Sequence, residues 1–225
     1  MAKKKQSLDN KLNTLRAGVL GANDGILTVV GVLFSVAAAT TNPFTIFIAG
    51  LSDLLACAFS MSAGEYASVS SQRDTEKAVV GEEQLRLNTG FNEEKGVVAD
   101  FYMDRGVTTD TANEIADELM NKNALHTAVN VRYDMDLDSY LNPWSAALSS
   151  LISASLGGIL PLVAMTFAPT PFKMLATIIA TIISVGITGL MSAELGNGFV
   201  KKAIIRNVLV GILTMFIHYY IGRLF

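Results

Sequence analysis

The sequence predicts an all-α, polytopic membrane protein with five transmembrane helices and a small cytoplasmic helical domain between helices two and three. Its 225 residues are 51% hydrophobic and 16% charged, with a mean hydropathy of +0.41, which is too apolar for an ordinary soluble domain. Five apolar runs are long enough to cross a bilayer as helices. None of them shows the period-two alternation that is typical of a membrane β-strand.

Turn residues separate the apolar runs and mark where the predicted spans begin and end. Asn42-Pro43 divides the first run from the second, and Asn142-Pro143 opens the third. The predicted spans are residues 19–39, 44–69, 144–167, 172–195 and 207–224. The chain therefore divides into an N-terminal tail with helices one and two (1–69), a polar domain (70–141) and helices three to five (142–225).

Basic residues predict the orientation, because short segments rich in Lys and Arg stay on the cytoplasmic side of a membrane. The tail before span one and the connector between spans four and five are basic, whereas the turn after span one has no basic residue. The basic residues are Lys3, Lys4, Lys5, Lys11 and Arg16 in the tail, and Lys201, Lys202 and Arg206 in the connector. We therefore expect the N-terminus and the polar domain in the cytoplasm and the C-terminus on the far side.

The polar domain, residues 70–141, carries most of the acid in the chain. It contains 15 Asp and Glu against 7 Lys and Arg, a net charge of −8, while the rest of the chain carries +5. Four stretches of this segment have apolar residues at helical spacing. Asn92 and Thr108 or Thr109 are predicted N-caps, and Gly106 is a predicted helix end. The pattern predicts a small bundle of acidic amphipathic helices.

The first span contains a polar notch at residues 21–25, Gly-Ala-Asn-Asp-Gly. A carboxylate such as that of Asp24 costs about 2.5–3.5 kcal/mol at the centre of a membrane helix, so it is usually kept for a function. Asn23 adds a second polar group. Gly21 and Gly25 flank both at the small-xxx-small spacing that lets another helix come close.

The second span contains an acid, a thiol, a thioether and a second acid at intervals of four residues: Asp53, Cys57, Met61 and Glu65. Steps of four trace a slowly turning stripe on one side of a helix. Carboxylate oxygen together with sulfur suits a divalent transition metal better than Mg²⁺ or Ca²⁺. The alternative is that Cys57 and Met61 are ordinary packing residues and the acids are buried for structure.

No P-loop, glycine-rich nucleotide fingerprint or zinc-type Cys/His spacing occurs in the sequence. We therefore predict no enzymatic activity, no bound cofactor, no ATP-driven step and no nucleic-acid partner. The two histidines stand apart from each other. His126 is interpreted as a surface or satisfied histidine, whereas His218, near the outer end of span five, leaves proton relay and interfacial anchoring both open.

Three motifs resemble the vacuolar iron transporter family. They are the notch at residues 21–25, the stretch Ser-Met-Ser-Ala-Gly-Glu-Tyr-Ala-Ser-Val-Ser-Ser-Gln at 60–72, and Tyr-Ile-Gly-Arg-Leu at 220–224. The resemblance implies a homodimer of five-helix protomers that exchanges cytosolic Fe²⁺, or a related divalent ion, for protons through a pore between the protomers. It also implies that Asp24 and Met61 match an intramembrane metal site, and that Asp53 matches an acid tied to proton movement.

The resemblance extends to metal-binding glutamates in the cytoplasmic domain. Glu83 and Glu94 match such positions, Glu82 and Glu93 are adjacent candidates, and Asp134 matches a further glutamate. The chain departs from the family where two methionine positions carry Asn130 and Val131 and one glutamate position carries Arg86. We expect fewer, weaker or different metal ions there. The alternative for each acid is a solvated helix face, with the regional charge alone attracting cations.

The function predicted from these features is proton-coupled transport of Fe²⁺ or Mn²⁺ out of the cytoplasm by a homodimer in the lipid bilayer. Asp24, Met61 and Asn23 are the predicted metal residues of the pore, and Asp53 and Glu65 the predicted proton-coupling residues. Two alternatives stay open: a non-transporting membrane metal sensor or assembly protein, and a small organic-cation exporter. The short chain is typical of a prokaryotic plasma membrane protein.

Overall fold

The computed structural model describes residues 2–137, 140–196 and 198–224, and within these residues every regular element is helical. Five of the six α-helices are long and apolar enough to cross a membrane, all except α3. The predicted all-α, five-span fold is therefore confirmed. In order, the helices are α1 (Ala2–Ala39), α2 (Pro43–Met103), α3 (Thr109–Tyr133), α4 (Pro143–Phe167), α5 (Lys173–Leu195) and α6 (Val200–Gly222), with a 3₁₀ turn at Thr170–Phe172 before α5.

The two Asn-Pro pairs begin α2 and α4, and the reason is the same at both. The side chain of Asn42 accepts hydrogen bonds from the backbone N–H groups of Phe44 and Thr45, at 3.0 and 3.2 Å. That of Asn142 accepts from the N–H of Trp144 at 3.0 Å. The proline that follows each asparagine needs no partner for its nitrogen and already has a helical φ. Each pair is thus a turn and a helix start at once.

Contacts divide the chain into two units. The membrane unit consists of Lys11–Ser68 and Asn142–Phe225, and the acidic unit consists of the chain up to Asn10 with Val69–Leu141. The core of the membrane unit is formed by apolar side chains from four helices. Its buried members are Val29, Val30, Leu33 and Phe34 of α1, Ile46 and Leu54 of α2, Leu162 and Met165 of α4, and Met215 of α6.

Close backbone contact between α1 and α4 explains the glycines of the notch. A Cβ atom on Gly25 would stand 2.2 Å from the backbone oxygen of Ala154, and one on Gly21 would stand 2.8 Å from that of Ser150. No side chain fits at these distances without moving one of the helices. The small-xxx-small spacing therefore positions α4 against the same face of α1 that carries the polar notch.

We expect Gly25→Ala to lower the unfolding temperature of the detergent-solubilised protein by several degrees, because overpacking a tight contact costs about 1–3 kcal/mol. Gly186→Ala is the matched control, since a Cβ at Gly186 meets nothing within 4 Å. Thermal unfolding of both variants followed by size-exclusion chromatography measures the difference. Equal unfolding temperatures would show that α1 and α4 separate without cost.

Residues 69–133 of the acidic unit form four helical segments, as the four periodic stretches predict. Helix α2 leaves helical geometry at Gly90, and α3 does so at Asn123, so each helix forms two segments within this unit. Gly106 ends the turn after α2 with a positive φ of 90°, and Thr108 is the N-cap residue of α3. The apolar core is built from all four segments and consists of Leu87, Val98, Ala99, Ala112, Ala116, Met120 and Ala128.

Three predicted boundaries differ from the structure. Asn92 is not an N-cap, because the break in α2 lies at Gly90 and Asn92 is already helical. The fifth span begins at Val200 rather than at residue 207, since Lys201 and Lys202 belong to the first turns of α6 and are exposed. Long basic side chains can keep their charge in water from such a position, so a polar sequence does not end the helix. Helix α1 similarly extends back to Ala2 through polar residues.

Candidate functional site

A cluster of polar side chains, which we call the pocket, lies between α1 and α2 within the membrane unit. The Sγ atom of Cys57 on α2 approaches Oδ2 of Asp24 on α1 at 3.9 Å. Asp53 and Cys57 are four residues apart on α2, and Asp24 and Thr28 are four residues apart on α1, so each helix contributes two side chains from successive turns. Both Thr28 and Asp24 lie within electrostatic range of the Asp53 carboxylate. Two acids, a thiol and a hydroxyl thus face one another.

The pocket has polar atoms that the described residues do not satisfy. Oδ2 of Asp53 and Oγ1 of Thr28 are both buried, and neither makes a hydrogen bond of normal geometry to the described part of the chain. An unpaired polar atom in an apolar setting costs about 1–3 kcal/mol, and a charged one costs more. The arrangement therefore favours a proton or a cation as the missing partner.

His218 of α6 also faces this region. Its ring packs against α1, where a Cβ on Gly31 would stand 2.9 Å from Nε2, and His218 lies within electrostatic range of Asp53. The Nδ1 atom lies 2.9 Å from the backbone oxygen of Thr214. Since a carbonyl only accepts, Nδ1 donates there, and Nε2 of the neutral ring is left as an acceptor. His218 is half-buried, as is Tyr219 beside it, so proton relay and interfacial anchoring both stay predictions for this histidine.

Glu65 is buried elsewhere. Its carboxylate is 7% exposed and accepts a hydrogen bond from Nη2 of Arg16 at 3.1 Å. Glu65 lies twelve residues beyond Asp53 on α2, which is about 18 Å along a helix. The structure therefore does not bring Glu65 into the pocket, and gives its charge a partner of its own.

The other two predicted pore residues occupy different positions. Met61 is half-buried and lies one turn beyond Cys57 on the same stripe of α2. Asn23 lines a separate cavity of about 440 Å³, together with Arg16 of α1 and Ser192 and Asn207 of the last two helices. Asn23 and its neighbour Asp24 thus face different surroundings.

In the acidic unit, two of the five predicted metal-binding acids come together. Glu83 is fully buried and Glu94 is 9% exposed, and both form ion pairs with Arg132. Burial, reinforced by the neighbouring Glu94, raises the pKa of Glu83 above its usual value. The other three acids, Glu82, Glu93 and Asp134, are exposed.

Sequence reasoning missed Thr28 and Arg132. Thr28 lies four residues after Asp24 on α1, which is the same spacing that links Asp53 to Cys57 on α2. This spacing could have indicated Thr28 from the sequence. Arg132 gave no comparable signal, since its partners are 38 and 49 residues away in the chain. Within the described residues, no group of three or more His, Cys, Asp or Glu side chains is placed to hold a metal ion.

Five helices that can cross a membrane and two half-buried acids between the first two define a class of protein: a polytopic helical membrane protein with an ionisable site inside its membrane region. Such sites are typical of ion and proton pathways. Comparison with family models matches residues 15–223 to the VIT family, and the chain belongs to that family. The resemblance that the three sequence motifs indicate is thereby confirmed.

Individual relatives match this sequence over most of its length. It is 33% identical to a vacuolar iron transporter from Acanthamoeba castellanii over 93% of its own length and 78% of the relative. It is 29% identical to vacuolar iron transporter homolog 5 from Oryza sativa subsp. japonica, over 96% of its own length and 82% of the relative. It is 27% identical to vacuolar iron transporter homolog 2.1 from Arabidopsis thaliana, over 89% of its own length and 76% of the relative. These relatives are eukaryotic and named for the vacuole, so they give no support to a prokaryotic plasma membrane.

Proposed function

We propose that this protein transports a divalent transition metal, Fe²⁺ or Mn²⁺, out of the cytoplasm in exchange for protons. The observation that carries the proposal is the buried Oδ2 of Asp53, which lies beside Asp24 and Cys57 and makes no hydrogen bond of normal geometry to the described residues. Several relatives are named as iron transporters, which supports iron as one cargo. Membership of the VIT family supports metal transport more generally.

The donor set suits ions of this type. Carboxylate oxygens and sulfur together are better ligands for Fe²⁺ or Mn²⁺ than for Mg²⁺, which prefers oxygen throughout. Asp24 supplies the oxygen ligand, and Met61, on the stripe of α2 that carries Cys57, supplies the sulfur. A homodimer with the ion between its protomers would provide further ligands from the second copy of these side chains.

Proximity of the two acids gives a physical reason for proton coupling. Asp24 and Asp53 repel each other when both are ionised in a medium that screens charge poorly. Either a proton or a metal ion relieves this repulsion, so the two compete for the pocket. A metal ion that enters therefore displaces protons, and a proton that returns helps to release the metal. His218, which lies within electrostatic range of Asp53, would accept or deliver such a proton through Nε2.

Metal uptake into sealed vesicles under an imposed pH gradient tests the proposal. Purified protein reconstituted inside out should accumulate Fe²⁺ or Mn²⁺ when the lumen is acidic, and acidification should be consumed as metal enters. A metal sensor or assembly protein would bind the ion without accumulating it. An exporter of small organic cations would run down the proton gradient with such a cation and ignore the metals.

The exposed acids of the acidic unit should raise the local metal concentration through their field. We expect simultaneous replacement of Glu82 and Glu93 by glutamine and of Asp134 by asparagine to raise the apparent KM several-fold at low salt with an unchanged maximal rate. The effect should fade as ionic strength rises, since charges in water are screened over about 8 Å at physiological salt. Transport assays across a salt series measure both quantities.

The control is a triple variant that combines E82D, E93D and D134E. It keeps all three charges but changes the length of each side chain. This variant should keep the parental KM. If it loses as much affinity as the neutral variant, the three acids bind the metal directly rather than through their field.

A further inference from the structure

We propose that Glu83 and Glu94 form a buried cation site whose occupant in this chain is the guanidinium of Arg132, and that this tethered cation excludes divalent metal from the site. The proposal concerns the acidic unit alone. It depends on which ions bind there and is independent of transport through the membrane unit.

The break at Gly90 is what allows the two glutamates to share one cation. Glu83 and Glu94 are eleven residues apart in α2, which would separate them by about 16 Å along a straight helix. Gly90 departs from helical geometry between them, with φ −150° and ψ 52°. Arg132 of α3 reaches both carboxylates, with Nε at 3.4 Å from Oε2 of Glu83 and Nη2 in a short contact with Oε2 of Glu94. Two segments of α2 and the end of α3 therefore converge on one point.

Burial shows that this point needs positive charge. Glu83 is fully buried, and neither of its carboxylate oxygens makes a hydrogen bond of normal geometry. Its acidic neighbour is Glu94, and its ion pairs are with Arg132 at 3.4 Å and with Arg86 at 3.7 Å. The Arg86 side chain is 44% exposed, whereas that of Arg132 is 28% exposed, so solvent weakens the Arg86 pair more strongly. Arg132 is therefore the principal counter-charge of the two acids.

A metal ion and the guanidinium cannot occupy this place together. Carboxylate oxygens bind divalent ions at about 2.0–2.6 Å, and such an ion would lie between the two carboxylates that Arg132 now bridges. Two positive charges on one point would also repel strongly in a buried setting. A planar guanidinium fork satisfies two carboxylates at once, which a lysine ammonium does less well. The site is thus complete without metal.

Removing the tethered cation should open the site. We expect R132Q in the full-length, detergent-solubilised protein to bind one additional Mn²⁺ per protomer near neutral pH, measured by loss of the electron paramagnetic resonance signal of free Mn²⁺. In the R132Q background, E83Q should abolish that additional site. Mn²⁺ should also raise the unfolding temperature of R132Q more than that of the parent.

Two controls separate this effect from a general change of charge. K95Q removes one positive charge from an ion pair with Asp117 in the same unit, and should add no metal site. R132K keeps the positive charge and should bind Mn²⁺ as the parent does. Unchanged binding in R132Q, or an equal gain in K95Q, would overturn the proposal.

Should R132Q fail to fold, the parent protein still decides the question. E83Q and E94Q in the parent should leave the number of bound Mn²⁺ ions unchanged, because the metal is already excluded from this site. Loss of a bound Mn²⁺ in either variant would show that metal and Arg132 bind together and would overturn the proposal. Transport that depends on Asp24 is tested separately and would stand in either case.

Discussion

Replacement of Asp24 by asparagine is expected to lower metal transport by about 100-fold or more, which corresponds to the loss of about 2–3 kcal/mol from a charged interaction. Asparagine keeps the size of the side chain and its oxygen but removes the negative charge that faces Cys57. The variant should insert into the membrane as the parent does. Initial rates of Fe²⁺ or Mn²⁺ uptake into vesicles, compared at equal protein content, measure the effect.

The matched control for Asp24→Asn is Ser52→Ala, which removes a polar group from an exposed position on α2 beside the pocket residue Asp53. This control should transport at the parental rate. Parental transport by Asp24→Asn would remove Asp24 from the metal path, and the metal ligands would then have to be sought among Met61 and its neighbours on α2.

The second large effect is expected from Asp53→Asn. Asparagine cannot exchange a proton, yet it fills the same space against Thr28. We expect the variant to bind Mn²⁺ with an affinity close to that of the parent, while its transport rate no longer responds to an imposed pH gradient. Binding measured by electron paramagnetic resonance and uptake measured with and without the gradient give the two readouts. Two separate measurements distinguish loss of coupling from loss of the site.

A fully coupled Asp53→Asn variant would assign the proton to another group. His218 is then the next to test, because it lies within electrostatic range of Asp53 and belongs to α6 rather than α2. His218→Gln in the Asp53→Asn background should then abolish the response to the gradient. An unchanged response in the double variant would place the proton path outside this pocket.

Periodicity predicted one half of the pocket well and misjudged its extent. The step of four correctly placed Asp53 and Cys57 on one side of α2, where Cys57 meets Asp24. The same step advances the stripe by about 40° each time, so after three steps Glu65 is turned by about 120° from Asp53. Glu65 therefore reaches Arg16 and not the pocket. A stripe at this spacing is a local guide over one or two turns only.

Contacts between distant parts of the chain lay beyond the reach of sequence patterns. The acid content of residues 70–141 predicted cation attraction, but not that Arg132 would take the position between Glu83 and Glu94. That pairing depends on the break at Gly90. A glycine in the sequence permits such a break but does not predict it, since Gly81 and Gly96 lie within the same helix without a break. The fold class followed from composition and run length, because a bilayer limits a spanning chain to few solutions.

The contact between Gly31 and the ring of His218 has a consequence for how the family diversifies. A methyl group at position 31 would stand within 3.0 Å of the imidazole and would push it away from α1. Positions 31 and 218 should therefore change together during evolution, with glycine retained wherever histidine is present and larger residues at 31 accompanied by smaller ones at 218. Such a linked substitution would divide the family's sequences into two groups, one with glycine and histidine at this contact and one without.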